Sequence, residues 1–336
     1  MDAGSKAIPV QITEDEAAVY DRQIRLWGIE AQQRMRNASI LVINLKGVAT
    51  EAIKNIVLAG VGKLVIVDAA PVAEEDLGAC FFLRDEDVGK KRVEAAKSRV
   101  ESLNPLVTVE TISDGSVLHG TALDALIQTV DLVCITDASR AELTRVNEAC
   151  RRLKKPFYAG GSYGLLGYIF CDLQQHDFIS PDRSGAKDVP RSVKVSANYP
   201  TLQEALQHKW STMTKRQTKE VNPAIVFLTI ALWEFEARQG RLPSSITDAE
   251  SLEKIANEFI SVAGVNKNVL TCIPRDLVES LATTAPHEFS PICAVVGGML
   301  GQDILKSLAA REAPIANFFT FDGNTGSGTV IRMSMP

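Results

Sequence analysis

The chain is poor in the residues from which metal centres and cross-linked scaffolds are built. Six cysteines (Cys80, Cys134, Cys150, Cys171, Cys272 and Cys293) and four histidines are scattered over 336 residues with no Cys-x-x-Cys pair. That spacing argues against a zinc site, whose ligands come in close pairs, and the thiols are expected to be reduced and mostly buried. Charge of one sign never accumulates: the formal net charge is −5, with no long acidic or basic run. Nothing therefore calls for nucleic acid or an anionic membrane surface as partner. No apolar run is expected to approach the roughly 20 residues of a membrane span, and the N-terminus is acidic where a signal peptide is basic and then apolar. The expectation is a soluble, intracellular protein.

Glycine is missing where it matters most. Residues 39–68 read as strand (SILVI), tight loop (NLKGVAT), helix (EAIKNIVLAGVG) and strand (KLVIVD), the pattern of a βαβ nucleotide-binding unit. The loop of such a unit carries Gly-x-Gly-x-x-Gly, because only glycine lets the backbone turn tightly and approach a phosphate at the helix N-terminus. Here Asn44, Lys46 and Ala49 occupy those three places and Gly47 alone remains. The fold signal survives while the phosphate cradle is filled with side chains. Asp68, at the end of the second strand, either marks a vestigial ribose site or caps the following turn.

What is present fits one large α/β core. Thr13 followed by Glu16 forms a capping box, predicting a helix that runs through AAVYDRQIRLWGIEAQQRMRN. A helix from about Gly89 to Asn104, strands at 107–112, 130–136, 156–161 and 164–173, and a capped helix from Ser139 give a doubly wound, mostly parallel sheet of Rossmann type. Residues 177–200 show little periodicity and read as a surface loop or disordered insertion. Helical patterns follow at 202–208, 223–239, 249–262 and 275–283, of which AIVFLTIALWEF is apolar all round. Lys209, Lys215, Arg216 and Lys219 form a loose basic cluster, read as a solvated face. The segment from Ser290 to Ala310, with Ser290 as cap and Gly297, Gly298 and Gly301 as flat packing faces, and a closing hairpin (NFFTFDG, GTVIRMS) return to the α/β pattern. The domain expectation is a core of residues 1–173 plus 287–336, interrupted by a loop and small helical domain over 174–286.

Tyr20 to Gly28, the altered loop at Asn44–Thr50, PICAVVGGMLGQDILK and NFFTFDG together resemble the activating-enzyme family of ubiquitin-like proteins, with its SUMO-activating branch nearest. The likeness covers nearly the whole chain. It implies an adenylyltransferase-type Rossmann-like fold that works as one half of a heterodimer, where ATP and magnesium are bound by the larger catalytic partner subunit to adenylate the C-terminal glycine of SUMO before thioester transfer. The conjugating enzyme would be met through that complex, and the location implied is the nucleus, with some cytoplasm. An active half requires the glycine loop, an Asn-Arg-Gln triplet where this chain has Gly78, Ala79 and Cys80, a lysine where it has Arg92, and a magnesium aspartate where it has Ala138, with Asp137 one residue before. The resemblance thus implies an inactive half with no nucleotide and no metal of its own, which supplies Arg22 in trans to the ATP phosphates in the partner's pocket; Asp21 and Gln23 are candidates to orient it. The glycine-faced 290–310 helix and the apolar surface near Trp27 are the expected interface. Cys272 has no neighbouring histidine or cluster of basic residues that would make it the thioester nucleophile. A self-sufficient homodimeric adenylyltransferase and a purely structural scaffold remain as alternatives, with a dehydrogenase a distant third.

Overall fold

The computed structural model describes residues 11–181 and 192–335. At its centre are five parallel strands, β1 (Ser39–Ile43), β2 (Lys63–Val67), β3 (Thr108–Ile112), β4 (Leu132–Thr136) and β5 (Phe157–Tyr163). Three antiparallel strands extend one edge: β6 (Leu166–Asp172), β9 (Phe318–Asp322) and β10 (Ser327–Ile331). The order across the sheet is β10-β9-β6-β5-β4-β1-β2-β3. SILVI and LVCIT are runs without alternation, as expected of strands covered on both faces, and every residue of β4 is buried.

Two apolar layers cover the sheet. On one face lie α3 (Ile29–Arg36), α4 (Gly47–Leu58), α5 (Arg92–Glu101) and α13 (Ser290–Ala309). On the other lie α6 (Gly120–Gln128), α7 (Arg140–Arg152) and the helices of the later segment, α8 (Leu202–Leu206), α10 (Pro223–Gln239), α11 (Ala249–Ala263) and α12 (Arg275–Thr284). The helix α10 is buried without interruption from Pro223 to Trp233, and Trp233 donates through its indole N–H to the Tyr163 hydroxyl at 2.9 Å. One short helix, α9 (Lys215–Glu220), was hidden in sequence beneath its basic residues and starts at a Thr214/Gln217 capping box.

Four expectations need correction. The N-terminal helix is three pieces, α1 (Glu14–Val19), α2 (Asp21–Trp27) and α3, broken at Tyr20 and Gly28. Gly28 sits at φ +89°, which costs glycine little and interrupts the helix, and Tyr20 is buried with its hydroxyl accepting from the Asn104 amide at 2.9 Å. Residues 175–198 are not loop: β7 (Gln175–Pro181) and β8 (Ser192–Asn198) pair as a two-stranded ribbon, with 182–191 outside the described residues. Val193, Val195 and Ala197 do alternate with polar residues along β8, but its residues are solvated or half-buried, β7 shows no such alternation, and tertiary pairing of Ile179 with the backbone of Ala310 and Glu312 holds the ribbon. Ser290 is the first residue of α13 rather than its cap; Phe289 holds that position and makes no side-chain bond. Finally, α13 is long and apolar enough to cross a membrane, but 61% of it is buried within the protein as a core helix.

The α13 glycines are spent inside the molecule. A Cβ on Gly297 would lie 2.5 Å from the Val48 carbonyl, and one on Gly301 3.0 Å from that of Ala52, so these two let α13 press onto α4. Only Gly298 faces outward. The face left exposed is instead built from larger apolar residues, Leu26, Leu58, Val295 and Met299.

Candidate functional site

The strand order reverses between β1 and β4, and in doubly wound sheets ligands enter the crevice at the carboxyl ends of those strands. Asn44 and Asp137 are the residues that follow them, both at positive φ, +67° and +47°. The crevice is stitched shut at this point: the Asn44 amide donates to the Thr136 carbonyl at 2.8 Å, and the Thr136 hydroxyl returns a bond to the Asn44 carbonyl at 3.2 Å. Ala49 is buried within α4, and Lys46 is the residue before its first turn.

The N-terminus of α4 is the position that would cradle phosphate. No side chain of the loop caps it; the Gly47 N–H instead donates to the Glu288 carboxylate at 2.9 Å. A carboxylate from 241 residues away thus sits on the positive end of the helix dipole. The loop is also closely packed, since a Cβ on Gly47 would lie 2.7 Å from the Cys293 sulfur and 2.8 Å from Ala79 Cβ. Beside it, Asp68 accepts from the backbone N–H groups of Leu45 and Ala70, each at 2.8 Å, and from the Arg92 guanidinium at 2.7 Å. Arg92 also pairs with Asp76 at 3.0 Å, and all three side chains are buried. Asp68 therefore does cap the turn after β2, while its second oxygen is committed to Arg92.

The remaining acid is less comfortable. Part of Asp137 reaches the surface, but its carboxylate is enclosed: Oδ1 accepts from the Ser162 N–H at 3.2 Å and Oδ2 has no partner. Burial, and then the nearby Glu288 carboxylate, push Asp137 up to about 7 against the opposing charge of Lys46. Burial raises Glu288 as well, again opposed by Lys46 and the Gly47 N–H. Burial lifts the Cys80 and Cys293 thiols to about 11 and about 12, far from a reactive thiolate. A carboxylate thus holds the position a phosphate would take at α4, and the cation Arg92 is already paired with two aspartates.

Arg22 lies elsewhere, on α2, exposed and with no ion pair among the described residues. Its expected helpers do not reach it. Asp21 pairs with Arg25 at 3.0 Å, and the Gln23 amide turns to the Leu58 carbonyl at 3.4 Å. Cys272 is exposed, touching only the Thr271 hydroxyl at 3.9 Å, and no group of three or more metal-ligating side chains gathers among the described residues.

The sequence profile of the ThiF family matches residues 20–336. The chain belongs to the ThiF family. Among its relatives, SUMO-activating enzyme subunit 1 from Bos taurus is 37% identical over 341 aligned residues, covering 95% of each chain. The Homo sapiens protein of the same name is 36% identical, again over 95% of each. The crystal structure of SeMet PaaA has the same fold, with a TM-score of 0.57 at 13% identity, covering 99% of this chain and 78% of that one.

Within this ThiF-family fold, sequence reasoning found the loop and missed what fills it. Glu288 and Asp76 were not singled out. Asp76 lies in an acidic stretch, EEDLG, that reads as a solvated turn. Glu288 immediately precedes α13 in His-Glu-Phe, with nothing local to connect it to Gly47. The one available signal was indirect: a helix starting at Gly47 without Ser, Thr, Asp or Asn before it needs a cap from somewhere else.

Proposed function

We propose that this chain is the smaller subunit of a SUMO-activating heterodimer, that it does not itself bind ATP and magnesium, and that it supports adenylation of the SUMO C-terminus in the pocket of the larger subunit by placing Arg22 against the ATP phosphates there. The larger subunit then forms the thioester and hands SUMO to the conjugating enzyme; a nuclear location accords with that role. The relatives' names support the assignment to SUMO activation. The observation that carries the division of labour is the contrast in charge: the chain's own phosphate position is taken by Glu288 and its buried arginine by two aspartates, whereas Arg22 is exposed with no ion pair among the described residues.

A guanidinium suits the task because it stays charged and offers a planar fork of donors to phosphoryl oxygens as charge builds up on them. The α2 face around it, with Leu26 80% exposed beside the half-buried Trp27, is apolar enough to seat against another subunit. The test is ATP–pyrophosphate exchange by the heterodimer reconstituted with the large subunit of a SUMO-activating enzyme. The wild-type chain should support exchange and Arg22→Ala should abolish most of it while the heterodimer still assembles. Unchanged exchange by Arg22→Ala would leave only a scaffold role, and exchange by this chain alone would make it a self-sufficient adenylyltransferase.

A further inference from the structure

A second surface, on the opposite side of the sheet from α2 and α13, is shaped for a partner. Two adjoining hollows of about 330 and 370 Å³ share Leu206, Gln207, Ile230 and Phe259 and so form one groove between α8, α10 and α11. Its floor is apolar and aromatic, with Trp210, Phe227 and Ile230 almost fully buried, and Val262 stands at its rim 72% exposed. The groove is built rather than incidental: Ser334 donates to His208 Nδ1 at 3.0 Å and to the Glu204 carbonyl at 2.8 Å, pinning the chain end across the turn that carries Lys209 and Trp210. A preformed apolar trough of this kind lowers the ordering cost of binding.

Charge says what it would take. No aspartate or glutamate lines either hollow, whereas Lys209 and Arg140 do. Arg140 is answered by Glu234 at 2.9 Å, and on α9, the helix that follows, Arg216 is answered by Glu220 at 2.9 Å. Lys209, Lys215 and Lys219 are exposed and have no carboxylate partner among the described residues. One member of the basic cluster that looked in sequence like a solvated face, Lys209, thus lines an apolar trough. We propose that this groove docks an acidic amphipathic peptide segment of a partner protein, with bulky apolar side chains on one face entering over Trp210 and Phe259 and a flanking carboxylate meeting Lys209. Helix-in-groove recognition has this form, with anchors spaced three or four residues apart. Because the α2 and α13 face lies across the sheet, both surfaces are open at once.

The test is selection of a random peptide library of about a dozen residues on the full-length chain, with fluorescence anisotropy of the winners. Selected peptides should share paired Leu, Phe or Trp residues three or four apart among Asp and Glu, and Lys209→Glu or Val262→Glu should each weaken their binding about tenfold. Both positions are exposed, so the variants should fold, and ATP–pyrophosphate exchange by the heterodimer should be unchanged. Raised salt should weaken the wild-type complex. The proposal is overturned if no peptide is enriched, if the enriched ones are basic or bind both variants equally well, if Val262→Glu instead dissolves a dimer of this chain in sedimentation, or if a fluorescent fatty acid binds in the groove and the peptides do not.

Discussion

Two arginines in this chain face opposite circumstances. Arg92 is buried at the heart of the crevice where the strand order reverses and holds Asp68 at 2.7 Å and Asp76 at 3.0 Å. Arg22 is on the surface with no ion pair among the described residues. The same guanidinium is structural in one place and available in the other, and the surroundings decide which. In the crevice, low polarity makes an unpaired buried charge costly, and the buried guanidinium there is matched by two acids from the same chain. On α2, water solvates the charge at little cost, and it remains uncommitted until an anion arrives.

Removing each in turn should separate the two roles. Arg92→Ala leaves two carboxylates buried without their cation and should cost about 3–5 kcal/mol of stability, read as a large loss in urea midpoint. Retained stability would mean that Asp68 and Asp76 are solvated after all. Arg22→Ala should leave the urea midpoint of the chain unaltered yet slow ATP–pyrophosphate exchange by the heterodimer on the order of 10²–10³-fold, the scale for a donor aimed at developing charge. Arg22→Lys should restore only part of that, since an ammonium lacks the planar fork.

A smaller effect should come from Asp137. Its folded form keeps a proton up to about 7, whereas the unfolded chain releases it near the usual value of 3.8, so between those pH values the native state binds the extra proton. Stability must then fall as pH rises from about 4 to 7 and level off above, by linkage. Asp137→Asn should take away Asp137's share of that slope, and so stabilise the chain more at pH 8 than at pH 4. A flat wild-type profile would mean that the carboxylate is hydrated. The smallest effect is expected from Arg25→Ala. The pair it makes with Asp21 is exposed, and neither the melting temperature nor the exchange rate should move measurably. A marked fall in rate would show that Asp21 and Arg25 belong with Arg22.

Much of the fold was legible because each element declared itself locally. SILVI and LVCIT read as buried parallel strands, Ser139 and Glu142 as a capping box, and AIVFLTIALWEF as a helix apolar on every side, and all three stand in the structure. The two-stranded ribbon of β7 and β8 was missed: β7 carries no alternation, and the short one in β8, at Val193, Val195 and Ala197, lies among Ser, Pro, Asp, Arg and Lys residues that read as loop. In the crevice, the glycine deficit at Asn44, Lys46 and Ala49 was plain in sequence. That Glu288 would cap α4 and that Asp76 would share Arg92 was not, because those contacts join segments whose neighbourhood is created only by folding. The α13 glycines mislead for the same reason: small residues mark close approach, but sequence does not say to which neighbour.

Tyr20 anchors the N-terminal break, with a consequence for the role proposed for Arg22. Its ring rests where any side chain on Gly60 would collide with it at 2.4 Å, and Asn104, which grips its hydroxyl, also donates to the Val57 carbonyl at 2.9 Å. Arg22 begins only two residues beyond this anchor, so the freedom of its backbone is already surrendered before any second subunit docks. A guanidinium delivered from a fixed pivot has a far higher local concentration at its target than one swinging on a loose arm. Loosening the pivot, as in Asn104→Ala, should therefore slow the reaction in the other subunit without touching the arginine itself.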